Sequence, residues 1–158
     1  RKCTMFTTAI ASVEEVDDNL EIDHGISDGA TLDLPEITTL QIEYHVVYSS
    51  SYQVPVLYFN AYYSNGSVLT RDELDKFVIN PSYREPLKSS TLMQQGSISQ
   101  QEHPILGLPF YYIHPCDTAS LMAQVDISDI NCYIMSWLSF FGPLVGLYLP
   151  SKFGSEMS

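Results

Sequence analysis

The chain has 158 residues, with 7 Lys and Arg against 19 Asp and Glu, for a formal net charge of −12. That length suits one compact domain spanning residues 1–158 and leaves little room for a second. A charge this negative argues against nucleic acid and anionic membrane as partners, because each phosphate contact needs Lys or Arg. With 45% hydrophobic residues, 11 Tyr and 7 Phe, the composition is globular rather than disordered. No basic residue falls between Lys2 and Arg71, whereas ten acidic residues do. A partner meeting that half of the chain should therefore be neutral or basic there.

Cys3, Cys116 and Cys132 are odd in number and contain no C-x-x-C pair. This is not the pattern of a disulfide-stapled secreted domain or a closed zinc site, and no metal or cofactor is expected. There is no secretory h-region and no apolar run near the ~20 residues of a membrane span. The expected compartment is a reducing one, the cytoplasm. Asn65-Gly66-Ser67 matches a glycosylation acceptor in form only. The chain does not begin with Met, so a natural N-terminus is expected upstream.

In chain order, Met5 to Val16 is expected to form a short helix, with Phe6, Ala9, Ile10 and Val13 at helical spacing. Residues 14–33 are acidic, carry eight of the ten acidic residues before Arg71, and read as a solvated loop through His24-Gly25 and Asp28-Gly29. From Thr39, Ile42, Tyr44, Val46 and Tyr48 alternate with Gln41, Glu43 and His45, predicting a half-buried strand. Val54 to Tyr63 is almost wholly apolar, as for a strand covered on both faces, with Pro55 near its start. The five residues from Ser49 to Gln53 make the two an antiparallel hairpin. Asn65-Gly66 ends the second strand in a turn.

Thr70-Arg71-Asp72-Glu73 is a capping box, predicting a helix over Arg71–Ile79 that stops before Pro81. Ser89 to Gln101 is polar and reads as a loop, and Leu108 to His114 as a third strand that runs into Pro115-Cys116. A short helix is expected at Thr118–Val125. Ile130, Ile134, Trp137, Leu138 and Phe141 mark the apolar face of a longer one, ended by Gly142-Pro143. Cys132 reads as structural and Trp137 as a core anchor. The order predicts an α+β domain with a mainly antiparallel sheet flanked by helices.

His114-Pro115-Cys116 is where chemistry becomes arguable. A cysteine at the end of a buried strand, behind a proline that fixes the turn, is held at a defined exit point. Its thiol is intrinsically nucleophilic. The bland alternative is a small buried hydrophobe.

Several segments, in order, resemble the autophagy-related protein 10 family. They are Tyr44 to Phe59, Gln101-Glu102-His103-Pro104, His114-Pro115-Cys116, and Ser136-Trp137-Leu138-Ser139 with Gly142 to Leu147. The resemblance covers roughly residues 43–150 and implies a ubiquitin-conjugating-enzyme-like fold. It implies an enzyme that accepts a ubiquitin-like modifier, autophagy-related protein 12, from the activating enzyme autophagy-related protein 7. Cys116 would hold the modifier as a thioester and pass it to a lysine of autophagy-related protein 5, for autophagosome formation.

Ubiquitin-conjugating enzymes usually stabilise the oxyanion with the asparagine of a His-Pro-Asn motif, which is missing here. Gln100 and Gln101, just before Glu102-His103-Pro104, are the candidate donors in its place. A solvated polar loop is the alternative for them. Tyr52 matches a family tyrosine near the cysteine, whose hydroxyl would orient the thioester; strand packing is the alternative. His114 and His103 are expected to brace their turns by bonding backbone rather than to act as bases. Asp117 disfavours the thiolate but would attract the acceptor lysine, unless it caps the following helix. Two rival readings remain: a cysteine hydrolase using His103 or His114, and a non-catalytic interaction module with an exposed sheet edge.

Overall fold

The computed structural model describes residues 4–14, 37–83, 98–125 and 129–149. The alternating and apolar segments pair as expected: β2 (Ile37–Ser49) and β3 (Val54–Tyr63) form an antiparallel hairpin closed at Ser49 opposite Val54. The turn between them places Gln53 at φ +55°, in the left-handed region. Pro55 is the second residue of β3, opposite Tyr48. Residues 54–61 are buried without interruption.

The neighbours of this hairpin were less visible. Thr4–Glu14 is a strand, β1, paired along its whole length with β2, and not the expected helix. Helical spacing of four apolar residues loses here to β-branched content (Thr4, Thr7, Thr8, Ile10 and Val13). It loses also to the backbone groups along the open edge of β2, which an eleven-residue partner satisfies. The remainder of the expected acidic loop lies outside the described residues.

The segment read as a polar loop also needs correcting at its end, because Ile98–Glu102 is a strand, β4. It pairs antiparallel with β5 (Pro109–Ile113), which in turn pairs with β3. The order is β1-β2-β3-β5-β4, so β4 is an edge and does not need an alternating apolar pattern. The rest of that polar segment, residues 89–97, lies outside the described residues.

Both faces of the sheet are covered near the middle of β3. One face carries Leu40, Ile42, Tyr44, Leu57, Phe59, Tyr111 and Ile113, packed with buried residues of the helices. The other carries Val47, Val56, Tyr58 and Phe110. This second cluster is why β2 is not the half-buried strand expected: His45 and Val47 are buried as well, while Tyr48 is exposed.

Helix α1 (Arg71–Phe77) has the capping box in full, with Thr70 Oγ1 accepting from Glu73 N–H and the Glu73 carboxylate accepting from Thr70 N–H. It ends two residues short of the expected Ile79. Arg71 Nη1 donates to the Ile98 carbonyl at 2.7 Å, tying α1 to the edge strand.

α2 (Thr118–Met122) is short, and α3 (Ile130–Phe141) begins with Asp129 Oδ1 accepting from Asn131 and Cys132 N–H. Trp137, Leu138 and Phe141 are buried as predicted, but Ile130 is 70% exposed, so the apolar stripe takes hold only from Ile134. Cys132 is exposed on the first turn. At Gly142 a Cβ would sit 2.5 Å from the Leu147 carbonyl oxygen, so no larger residue fits without shifting the backbone. The 3-10 turn Gly142–Val145 beyond it is tied to β2 by Tyr44 Oη donating to the Val145 carbonyl at 2.6 Å. Among the described residues no helix is long and apolar enough to cross a membrane.

Candidate active site

β5 delivers Ile113 to the core and then leaves the sheet through His114-Pro115. Proline removes one backbone donor and fixes φ, so the first amide within reach of the His114 ring is that of Cys116. Cys116 N–H donates to His114 Nδ1 at 3.2 Å, the bracing role expected of that histidine. Thr118 N–H donates to the Pro115 carbonyl at 3.1 Å and closes the turn. Cys116 is left exposed.

An Nδ1 that accepts is unprotonated, so the neutral ring carries its proton on Nε2. Nε2 faces the Tyr52 hydroxyl oxygen at a long 3.5 Å, with the two rings edge to face. Tyr52 sits in the β2–β3 turn and is 49% exposed. Because the imidazole donates to Tyr52, the tyrosine keeps its own hydroxyl proton for another acceptor. The hairpin turn and the exit of β5 thus bring Tyr52, His114 and Cys116 together.

Asp117 joins this group. Its Oδ2 accepts from Cys116 Sγ at 3.6 Å. The residue precedes α2 with φ −99° and ψ 0°, and its side chain makes no cap bond, so the capping alternative is not realised. Burial first, and then the Asp117 charge, push the Cys116 thiol above its ordinary pKa.

Gln100 and Gln101 do not join it. Gln101 Nε2 donates to Tyr58 Oη at 2.6 Å, on the sheet face that also holds Tyr112 and His114. Gln100 is exposed, in register with Tyr111, and makes no side-chain hydrogen bond among the described residues. Among the described residues neither amide hydrogen-bonds the sulfur.

His103 belongs to a separate buried chain. Its Nδ1 accepts from the amides of Ile105 and Leu106, both at 3.2 Å, which places its proton on Nε2. Nε2 then donates to His45 Nδ1 at 3.1 Å, and His45 Nε2 donates to Glu43 Oε1 at 2.8 Å. Tyr62 Oη donates to the other carboxylate oxygen. Burial, followed by the neighbouring His45, lowers the His103 pKa. With both nitrogens of His103 and of His114 engaged elsewhere, neither ring is set as a base for a hydrolase. The partnership of Glu43 and His45 with His103 was missed in the sequence, where His45 reads as an outward strand position.

Residues 2–152 match the family model described as autophagocytosis associated protein, active-site domain, and the chain belongs to that family. Its α+β architecture is accordingly ubiquitin-conjugating-enzyme-like. Among its relatives is the ubiquitin-like-conjugating enzyme ATG10 of Homo sapiens, 44% identical over 124 residues, covering 75% of this chain and 54% of that one. The ubiquitin-like-conjugating enzyme ATG10 of Arabidopsis thaliana is 40% identical over 116 residues, covering 68% of this chain and 50% of its own. That of Dictyostelium discoideum is 38% identical over 125 residues, covering 68% and 51%. The chain spans about half the length of these three relatives.

Proposed function

We propose that this chain carries the catalytic part of a ubiquitin-like-conjugating enzyme of autophagy, with Cys116 as the thioester-forming nucleophile. The observation that carries the reading is the exposed thiol on a turn pinned by His114 at the exit of a core strand. The names of its relatives support the same class. In the finer reading the modifier is autophagy-related protein 12, delivered by autophagy-related protein 7. The acceptor is a lysine of autophagy-related protein 5, and the work is done in the cytoplasm for autophagosome formation.

Loading exchanges one thioester for another. The Cys116 sulfur attacks the modifier's terminal carbonyl carbon, a new C–S bond forms and the bond to the activating enzyme's sulfur breaks. That sulfur leaves as thiolate and takes up the proton Cys116 gave to solvent. Transfer is harder, because a neutral lysine amine must attack and an oxyanion must be held. The C–N bond forms, the C–S bond to Cys116 breaks, and the surplus amine proton leaves as the cysteine sulfur regains one.

Tyr52 is the donor for the oxyanion in this reading, since His114 accepts nothing from it and leaves its hydroxyl proton available. His114 positions the turn. Asp117 slows loading by disfavouring the thiolate, and offsets this in transfer by attracting the lysine ammonium. Gln100 and Gln101 remain donors only if the β4 edge rearranges on binding.

The test is incubation with ATP, activating enzyme and modifier, then a non-reducing gel. A thiol-sensitive adduct is expected, lost in Cys116→Ala and replaced by a thiol-resistant ester in Cys116→Ser. No adduct under conditions that charge a sister enzyme would overturn the reading in favour of a non-catalytic module that binds through a sheet edge.

A further inference from the structure

We propose that Tyr112 is a positioning residue for the transfer step, acting through the His114 ring; this rests on the conjugating reading above. Residues 112 and 114 lie two apart at the end of an extended strand and point to one face of the sheet. The Tyr112 ring centroid is 6.0 Å from that of His114, at an interplanar angle of 41°. On its other side Tyr112 stacks on Tyr58 at 5.8 Å and 28°. Tyr58 is buried, and its hydroxyl is held by Gln101. The two rings that flank the imidazole are therefore unlike. Tyr52 is half-exposed on a turn, whereas Tyr112 is anchored to the second core cluster.

The bond His114 makes gives this packing its importance. Its Nδ1 holds the Cys116 N–H, so a ring that rotates away releases the amide of the residue carrying the thioester. A flat apolar neighbour restricts that rotation while taking no hydrogen bond from either nitrogen. What Tyr112 contributes is its ring, not its hydroxyl.

The experiment measures single-turnover transfer from preloaded thioester to the acceptor. Tyr112→Leu is expected to slow it about tenfold, in the range that small misplacements cost. Tyr112→Phe is expected to restore most of the lost rate. In a His114→Ala background, Tyr112→Leu should cost nothing further, because the route through the ring is already gone. Nitrogen-15 NMR should show His114 of the wild type as the Nε2–H tautomer, and exchange-averaged in Tyr112→Leu. Should Tyr112→Leu not fold, Tyr112→Met, a flexible apolar filler, takes its place in each arm.

Wild-type transfer in Tyr112→Leu would overturn the proposal, as would a Tyr112→Phe as slow as the leucine variant. Independent, multiplicative losses at 112 and 114 would overturn it as well. If the wild type never loads, the conjugating reading has failed. The tautomer measurement still decides whether Tyr112 orders His114.

Discussion

The two His-Pro turns of this chain are locally alike and differ in everything around them. In each, proline supplies no donor, and the histidine Nδ1 accepts from amides beyond it: Ile105 and Leu106 in one, Cys116 in the other. His103 is 0% exposed and donates its Nε2–H to His45 Nδ1, while His45 donates its own Nε2–H to Glu43. His114 is half-buried and faces a tyrosine in an exposed turn. The shared bond is thus a way of turning the chain, and the motif alone says nothing of chemistry. Chemistry enters with the residues beyond the proline, Ile105-Leu106 in the first turn and Cys116-Asp117 in the second, and with whether solvent and partners reach them.

The sharpest way to break this comparison is to delete each ring. His103→Ala removes the acceptor of two backbone amides, takes the His103 donor away from His45 Nδ1 in the interior and leaves a cavity. It should destabilise the fold by about 3 kcal/mol. His114→Ala removes one exposed brace and should cost within about 1 kcal/mol. Urea denaturation of the two variants decides it, and equal losses would mean the exposed turn is as structural as the buried one.

A smaller effect comes from acid. The charged form of His103 is disfavoured in the folded state by burial and by His45 on β2, with the Glu43 carboxylate opposing them and the Tyr58 ring of β3 against it. The unfolded chain therefore binds a proton at this site more readily than the folded one. The stability this site contributes is complete above the ordinary histidine value of about 6.5 and is lost as pH falls from there through the folded pKa. Denaturation midpoints of wild type and His103→Gln, measured from pH 7.5 to 5, should converge on acidification. Parallel curves would show that the buried ring does not sense protons.

The difference between the two turns also explains what the sequence could and could not reveal. The β2–β3 hairpin, the Thr70–Glu73 capping box, β5 with its exit at Cys116, and the apolar face of α3 were legible, because each is written in local periodicity or capping chemistry. β1 and β4 were not, because pairing along the edges of β2 and β5, and not an alternating apolar pattern of their own, makes them strands. That omission spread to the site. Without β4 as a strand, nothing assigns Gln100 and Gln101 to opposite faces, and Gln101 ends on Tyr58. His103 likewise meets His45 across 58 residues of chain, a contact no spacing rule predicts. The Tyr52, His114, Cys116 and Asp117 grouping was accessible because the hairpin turn and the strand exit were both visible, and the resemblance put Tyr52 beside the cysteine.

The smallest effect tests the one residue that has no counterpart in the buried turn. Asp117 lies against the Cys116 sulfur without serving as a cap, so its removal should leave stability nearly unchanged while altering reactivity. Its charge, after burial, raises the thiol pKa; Asp117→Asn should therefore lower it and increase the thiolate fraction near neutral pH. Iodoacetamide should modify Cys116 about two- to threefold faster in the variant at pH 7.5, since the thiolate is the reacting form. Loading onto Cys116 should speed up for the same reason. Transfer to lysine should slow, because the carboxylate that attracts the incoming ammonium is gone. Opposite signs in the two half-reactions are what an electrostatic role at the second turn requires. Equal slowing of both would reduce Asp117 to a surface carboxylate, and the contrast between the turns would then rest on Cys116 and its exposure alone.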